Sequence, residues 1–237
     1  MSVRGAQSRA IHVISAIGMR DVIADVRDDF AAVSGHTLTA TAVETGEIRR
    51  RVLAGEPFDV IVVPREAAED LTDAGRMARG AVPLVRVNFG LAVRTTAPLP
   101  DTRTPDALRR TLLAAERVLI TDPATGGISG VHLMTVLDAL GIAAAMRGKL
   151  VPLGGGGSHA ARLVRGEGDL AVQAEHEIRA VEGAAFLAYP EEFQRSVVFV
   201  AGIGTATADP AAGKSFIAFM RGPRAATAIA ARGLMPA

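Results

Sequence analysis

The chain has no cysteine, no tryptophan and one tyrosine, and only 4% of its residues are aromatic. Without cysteine it is neither a disulfide-stapled scaffold nor a cysteine-ligated zinc protein. The scarcity of rings removes the stacking platform that single-stranded nucleic acid needs. Its 26 basic and 25 acidic residues are interspersed, for a formal net charge of +1, so no basic stripe can track a phosphate backbone either. Nucleic acid is not an expected partner. No apolar run reaches the roughly 18 to 20 residues that cross a bilayer, so membrane insertion is not expected. No apolar h-region precedes the first strand, and the expected location is cytoplasmic as given, or periplasmic or extracellular if a leader was removed.

The familiar catalytic fingerprints are missing as well. There is no Gly-x-Gly-x-x-Gly at a first βα turn and no GxxxxGK[ST], and GGISG around Ser129 lacks the spacing of a nucleophile elbow. The histidines at 12, 36, 132, 159 and 176 form no metal-ligand cluster by spacing. No metal is expected. His12, inside a strand, and His36, at a turn, read as structural. His159 and His176, the latter flanked by Glu175 and Glu177, stand at predicted strand ends or helix starts and are candidates for chemistry.

What is present is an apolar fraction of 49% in 237 residues, enough for one large domain or two lobes of about a hundred residues each. The centre of the pattern is Thr41 to Gly46 (TAVETG), with a helix predicted over Glu47 to Ala54 and a strand over Asp59 to Pro64. DVIVVP has the unbroken apolar character of a strand buried on both faces. Before it, Ile11 to Ala16 reads as a strand, Asp21 to Val33 has the apolar spacing of one helix face, and Thr37 to Val43 alternates. With a helix over Glu66 to Gly75, the result is βαβαβα with parallel strands and right-handed crossovers.

Leu84 to Arg94 is a long extended run followed by a Pro- and Thr-rich loop, as expected of a strand leaving one lobe for another. The same α/β grammar then repeats. A helix is predicted over Asp106 to Ala115 and a strand over Val118 to Thr121, and the loop Asp122 to Gly130 opens a helix over Val131 to Leu140. A strand over Leu150 to Leu153, the loop GGGGSH, a helix over Ala160 to Gly166 and a strand over Leu170 to Gln173 follow. Ser196 to Gly204 reads as the return crossing, and Pro210 to Arg221 and Ala225 to Arg232 as a terminal helix pair. The expected domains are 1–84 with 200–237, and an inserted 85–199.

Four loops share one layout of strand, small polar turn and helix N-terminus: Ser15 to Arg20, Glu44 to Gly46, Thr125 to Gly130 and Gly154 to His159. Unpaired N–H groups of a first helical turn favour negative charge, and in open parallel sheets such loops lie where ligands bind. The candidate ligand-binding residues are therefore Gly18, Met19, Arg20, Thr45, Gly46, Gly127, Ser129, Ser158 and Gln173. The competing reading is that each glycine permits a turn and each hydroxyl caps its own helix.

SAIGMRDVIADVRDDFAAVSGHTLT, TAVETGEIRRRVLAGEPFDVIVVP, VRVNFGLAVR, DPATGGISGVHLMTVLDALGI, LVRGEGDLAVQAEHEI and AAGKSFIAFMRGPRAATAIAARGL together resemble the type-II periplasmic binding protein fold. The nearest resemblance is to the molybdate-binding proteins of ABC transporters, and it spans nearly the whole chain in order and spacing. It implies an α/β protein of two lobes, parallel-type sheets flanked by helices, with a ligand cleft between the lobes. It also implies a transporter permease as partner if the chain is exported.

The positions that hold molybdate in that family differ here. The family's Ala-Ser-Leu turn is replaced by Gly18-Met19-Arg20; Thr45 keeps the second hydroxyl; the family's tyrosine has no counterpart near Gln173 and Ala174. Arg20 offers a charged planar fork suited to a carboxylate, so an organic di- or tricarboxylate is expected rather than molybdate. An ion pair from Arg20 to Asp21 or Glu44 is the alternative. Aconitate isomerase resembles the same group, which makes proton-transfer isomerisation of an unsaturated tricarboxylate the alternative function. His159, His176 or Glu44 would then carry the proton, with no cofactor required.

Overall fold

The computed structural model describes residues 8–154 and 157–237. The polar lead through Gln7, and Gly155 and Gly156 of the fourth helix-opening loop, lie outside the described residues. The chain divides into two compact units, Met1–Arg86 with Val198–Ala237, and Val87–Val197. The first unit opens with β1 (Ala10–Ala16), α1 (Arg20–Ser34), β2 (Thr37–Val43), α2 (Thr45–Leu53), β3 (Val60–Pro64), α3 (Arg65–Asp73) and the start of β4 (Val82–Arg94). The second unit takes up the rest of β4, then α4 (Pro105–Ala114), β5 (Val118–Thr121), α5 (Ile128–Ala139), α6 (Ala143–Met146) and β6 (Leu150–Leu153). It continues through α7 (His159–Val164), β7 (Leu170–Ala174), α8 (Glu175–Arg179), β8 (Ala184–Ala188) and the first residues of β9 (Ser196–Ile203). β9 ends in the first unit, followed by α9 (Pro210–Met220), α10 (Pro223–Ala231) and β10 (Met235–Pro236).

In the first unit the strand order is β2-β1-β3-β9. β1 is parallel to β2 from Ala10↔Thr37 to Ala16↔Val43, and parallel to β3 through Ser15↔Val62. β9 runs antiparallel to β3, from Val60↔Ile203 to Pro64↔Phe199, so the returning chain adds an antiparallel member to a parallel core. All five residues of β3 are buried, as its unbroken apolar run requires. α1 buries Val22, Ile23, Val26 and Phe30 on one face and stops at Gly35, whose φ of 74° is a left-handed conformation natural to glycine. The Phe30 ring meets Phe216 and Phe219 of α9 edge-on, at centroid distances of 5.2 and 5.4 Å. Each such pair contributes about 0.5–1.5 kcal/mol beyond its buried area.

In the second unit β5 is parallel to β6 and to β7, while β4 runs antiparallel to both β7 and β8. Leu119, Ala160, Leu163, Ala171 and Ile178 form a buried cluster beneath this sheet. α4 begins as its sequence dictates: the Thr104 hydroxyl accepts from the Ala107 N–H at 3.2 Å, and Pro105 occupies the first helical position. α6, α8, β8 and β10 have no counterpart in the sequence reading, being too short to establish a period.

Candidate anion-binding loops

In the first unit, β1 and β2 end side by side, and each runs directly into a helix. After Ala16 the chain makes one 3-10 turn, Ile17–Met19, and enters α1 at Arg20, with no side chain capping either N-terminus. The Met19 side chain is wholly buried in the core, which leaves only its backbone for a ligand. Gly18 is spacious, because a Cβ there would meet nothing closer than the Phe199 ring at 3.9 Å. Arg20 is half exposed and donates from Nε to Asp21 Oδ1 at 2.9 Å, so the ion-pair alternative is present.

α2 starts two residues earlier than its sequence predicts. Thr45 is its first helical residue and Glu44 its N-cap, with no side chain completing the cap. The Thr45 Oγ1 is buried with no hydrogen-bond partner among the described residues, and so is the Oγ of Ser15 in β1. A buried hydroxyl left unsatisfied costs about 1–3 kcal/mol. Ser15 is registered opposite Ala42 of β2, close to the strand ends. In sequence it is one small residue at the start of a helix-opening loop, and only its burial sets it apart as a ligand residue. Burial pushes the Glu44 carboxyl above the ordinary carboxylate range. The first-turn N–H groups of α2, Gly46 included, have no intrahelical acceptors and carry the positive end of the helix dipole.

The loops of the second unit are closed by their own side chains. Thr121 at the end of β5 shares a hydrogen bond of 2.9 Å with Ser129, which is buried in the first turn of α5. α5 begins at Ile128, three residues ahead of expectation, because Gly127 and Gly130 serve close packing. A Cβ on Gly130 would lie 1.9 Å from the Thr121 carbonyl oxygen, and one on Gly127 would lie 2.2 Å from Thr121 Cγ2. At α7 the Ser158 hydroxyl accepts from Ala161 N at 3.1 Å, and Gln173 Oε1 accepts from Ala160 N at 3.1 Å. Two donors of that first turn are thus taken up internally, by the Ser158 oxygen and the Gln173 amide oxygen.

His159 is 3% exposed, and its Nδ1 lies 3.2 Å from the Val172 carbonyl. That acceptor selects the Nδ1–H tautomer, and burial holds the ring below the ordinary histidine range, so it is neutral at pH 7. His132 is likewise depressed by burial; its Nε2 is 2.9 Å from the Phe193 carbonyl and its ring meets Tyr189 edge-on at 5.4 Å. His176 lies in α8, immediately beyond β7. Beside it, Glu175 accepts from Arg179 Nε at 2.8 Å and from Asn88 Nδ2 at 3.0 Å, a link across 87 residues that no local pattern shows. Among the described residues no group of three or more His, Asp or Glu is placed to hold a metal ion.

A chain of α/β units whose helices open at strand ends, with one long strand leaving the first unit and another returning, has the architecture of a solute-binding protein. Solved structures share it. The periplasmic molybdate-binding protein of Azotobacter vinelandii is 20% identical, with a TM-score of 0.71 over 95% of this chain and 98% of that one. The sulfate-binding protein SubI of Mycobacterium tuberculosis H37Rv is 17% identical, with a TM-score of 0.77 over 96% of this chain and 87% of that one. Residues 11–235 match the family model for bacterial extracellular solute-binding proteins, and the chain belongs to that family. The aconitate isomerase of a Pseudomonas species is 29% identical, over 94% of this chain and 87% of its own length.

Proposed function

We propose that this protein binds a small organic anion, a di- or tricarboxylate rather than molybdate, at the helix-opening loops of its first unit. The observation that carries the reading is the partnerless buried hydroxyl of Thr45 on the first turn of α2. Hydroxyl and backbone N–H groups at a helix N-terminus make an anion site without a metal. Met19 stands where the molybdate proteins resembled by this chain offer a serine hydroxyl, and Gln173, near which their tyrosine has no counterpart, gives its Oε1 to the Ala160 N–H. A carboxylate can take its remaining hydrogen bonds from the Arg20 fork and the N–H groups of Gly46 and its neighbours.

Two observations favour a second reading in which the bound acid is isomerised. One is the 29% identity to aconitate isomerase across nearly the whole chain. The other is Glu44, whose burial moves its carboxyl toward the range useful for proton transfer near neutral pH. The reaction would be a 1,3-proton shift. A base takes a proton from the methylene carbon, the double bond moves by one position, and a proton is returned to the former vinyl carbon. Glu44 is the candidate for the proton on the first unit. His159, neutral with its Nδ1 hydrogen committed to a carbonyl, keeps a basic Nε2 and is the candidate on the second.

The test is proton NMR of cis- and trans-aconitate in D2O with the pure protein, with thermal shift on the same acids and on molybdate. Stabilisation by an acid without exchange supports binding alone. Isomer conversion or deuterium entering the carbon skeleton makes the protein an isomerase. Stabilisation by molybdate alone overturns both readings.

A further inference from the structure

The second unit carries a recess of about 400 Å³ that none of the helix-opening loops lines. It lies where β4 ends and β7 begins, under the Pro-rich loop and along α4. Its walls are apolar: Val93, Pro98, Pro100, Ala114 and Leu170. That volume falls within the range of small-molecule sites, roughly 300–1,000 Å³.

Its polar groups carry an uncompensated positive charge. The Arg94 Nη1 donates to the carbonyls of Leu163 at 3.1 Å and Gly168 at 2.7 Å, which fixes the guanidinium without neutralising it. Arg110 projects from α4 into the same lining. Among the described residues neither arginine has a carboxylate within ion-pair distance. Asp101, which feels the charge of Arg110, is occupied by Arg103 at 3.0 and 3.2 Å. The one acid in the lining is Asp169, whose Oδ2 accepts from the N–H groups of Glu116 and Arg117 at 2.8 Å each. Two cations against one tethered carboxylate leave a net charge of about +1 beside apolar walls. A fixed, half-buried guanidinium is an ordering element for a planar anion.

We propose that this recess is a second ligand site, which takes a small monocarboxylate with a flat apolar body. The carboxylate sits on Arg94 and Arg110, and the body lies against Pro98, Pro100 and Leu170. β7 runs from Leu170 at this recess to Ala174 at the start of α8, about 13 Å at the strand rise. The recess is therefore at the opposite end of the strand from the helix-opening loops of its own unit. It does not depend on what the first unit binds.

The experiment is an NMR titration of the ¹⁵N-labelled protein with benzoate, and with benzyl alcohol as the uncharged probe. Saturable shifts in α4 and around Arg94 are expected. Benzyl alcohol and the Arg110→Gln variant should each bind about tenfold more weakly, the scale of one charge-assisted hydrogen bond. Ala114→Trp, which fills the recess from an exposed helix position, should abolish the shifts, and Thr45→Val should leave them unchanged. Absence of saturable binding at millimolar benzoate would overturn the proposal. So would binding that survives both Arg110→Gln and Ala114→Trp, or binding that is lost in Thr45→Val.

Discussion

The helix-opening loops of the two units look alike in sequence and differ in how their polar groups are used. In the first unit Ser15 and Thr45 keep buried hydroxyls with no partner among the described residues, and Glu44 caps nothing with its side chain. In the second, Ser129 is tied to Thr121, and Ser158 and Gln173 close the first turn of α7. A hydroxyl that satisfies its own helix holds the fold, whereas one left over is available to a ligand. Glycines divide in the same way. Gly18 stands in open space, and Gly130 is pressed against the Thr121 carbonyl.

The largest effect that tests this contrast is steric. Gly130→Ala should lower stability by about 3 kcal/mol, since its Cβ meets backbone that cannot give way, and Gly18→Ala should cost under about 1 kcal/mol. Thermal melts of the two variants settle it, and equal losses would mean the loops are built alike.

Next comes the hydroxyl contrast. Thr45→Val should weaken ligand binding by about 1–3 kcal/mol with the melting temperature of the free protein kept or raised. Ser129→Ala should do the reverse, losing about 1 kcal/mol of stability with affinity intact. Calorimetric titration with the acid identified by thermal shift reads both. If Ser129→Ala costs the affinity instead, the second unit's loop is the open one.

The units should also respond to pH in opposite directions. The folded pKa of Glu44 lies above its unfolded value, so the folded state binds more protons there, and stability falls as pH rises from the ordinary carboxylate range through the folded value. His132 and His159 are held below the ordinary histidine range. Their contribution is present above that range and is lost as pH falls through it toward the folded values. In denaturant melts, Glu44→Gln should flatten the first slope and His159→Gln the second.

The smallest effects are on the free protein. Ser15→Ala should be neutral or slightly stabilising, because it removes a hydroxyl that has no partner. Arg20→Ala breaks a half-exposed pair with Asp21, and such a pair contributes less than about 1 kcal/mol to stability. A marked loss of affinity in the same variant would show that Arg20 turns to the ligand.

Much of the fold is written in local pattern. β3 is recognisable because an unbroken apolar run has only a doubly buried strand to occupy, and α1 because Val22, Ile23, Val26 and Phe30 recur at helical spacing. β5 and β6 begin and end where their apolar runs do. Local pattern misplaces the start of α5, where Gly127 and Gly130 resemble a loop and instead let the helix start against Thr121. It also misses α8 and β8, five residues each, which are held by β7, β4 and the contacts of Glu175 rather than by any period of their own.

By itself, then, the sequence determined the α/β alternation, the chain's crossing into a second unit and back, and the residue types at four helix starts, since apolar periodicity and glycine and hydroxyl placement are local properties. Only the tertiary structure decided which of those hydroxyls are spent. Whether Thr45, Ser129, Ser158 or Gln173 has a polar group to offer depends on which donor or acceptor the packing brings within about 3 Å, and for Gln173 that partner lies thirteen residues away on another element.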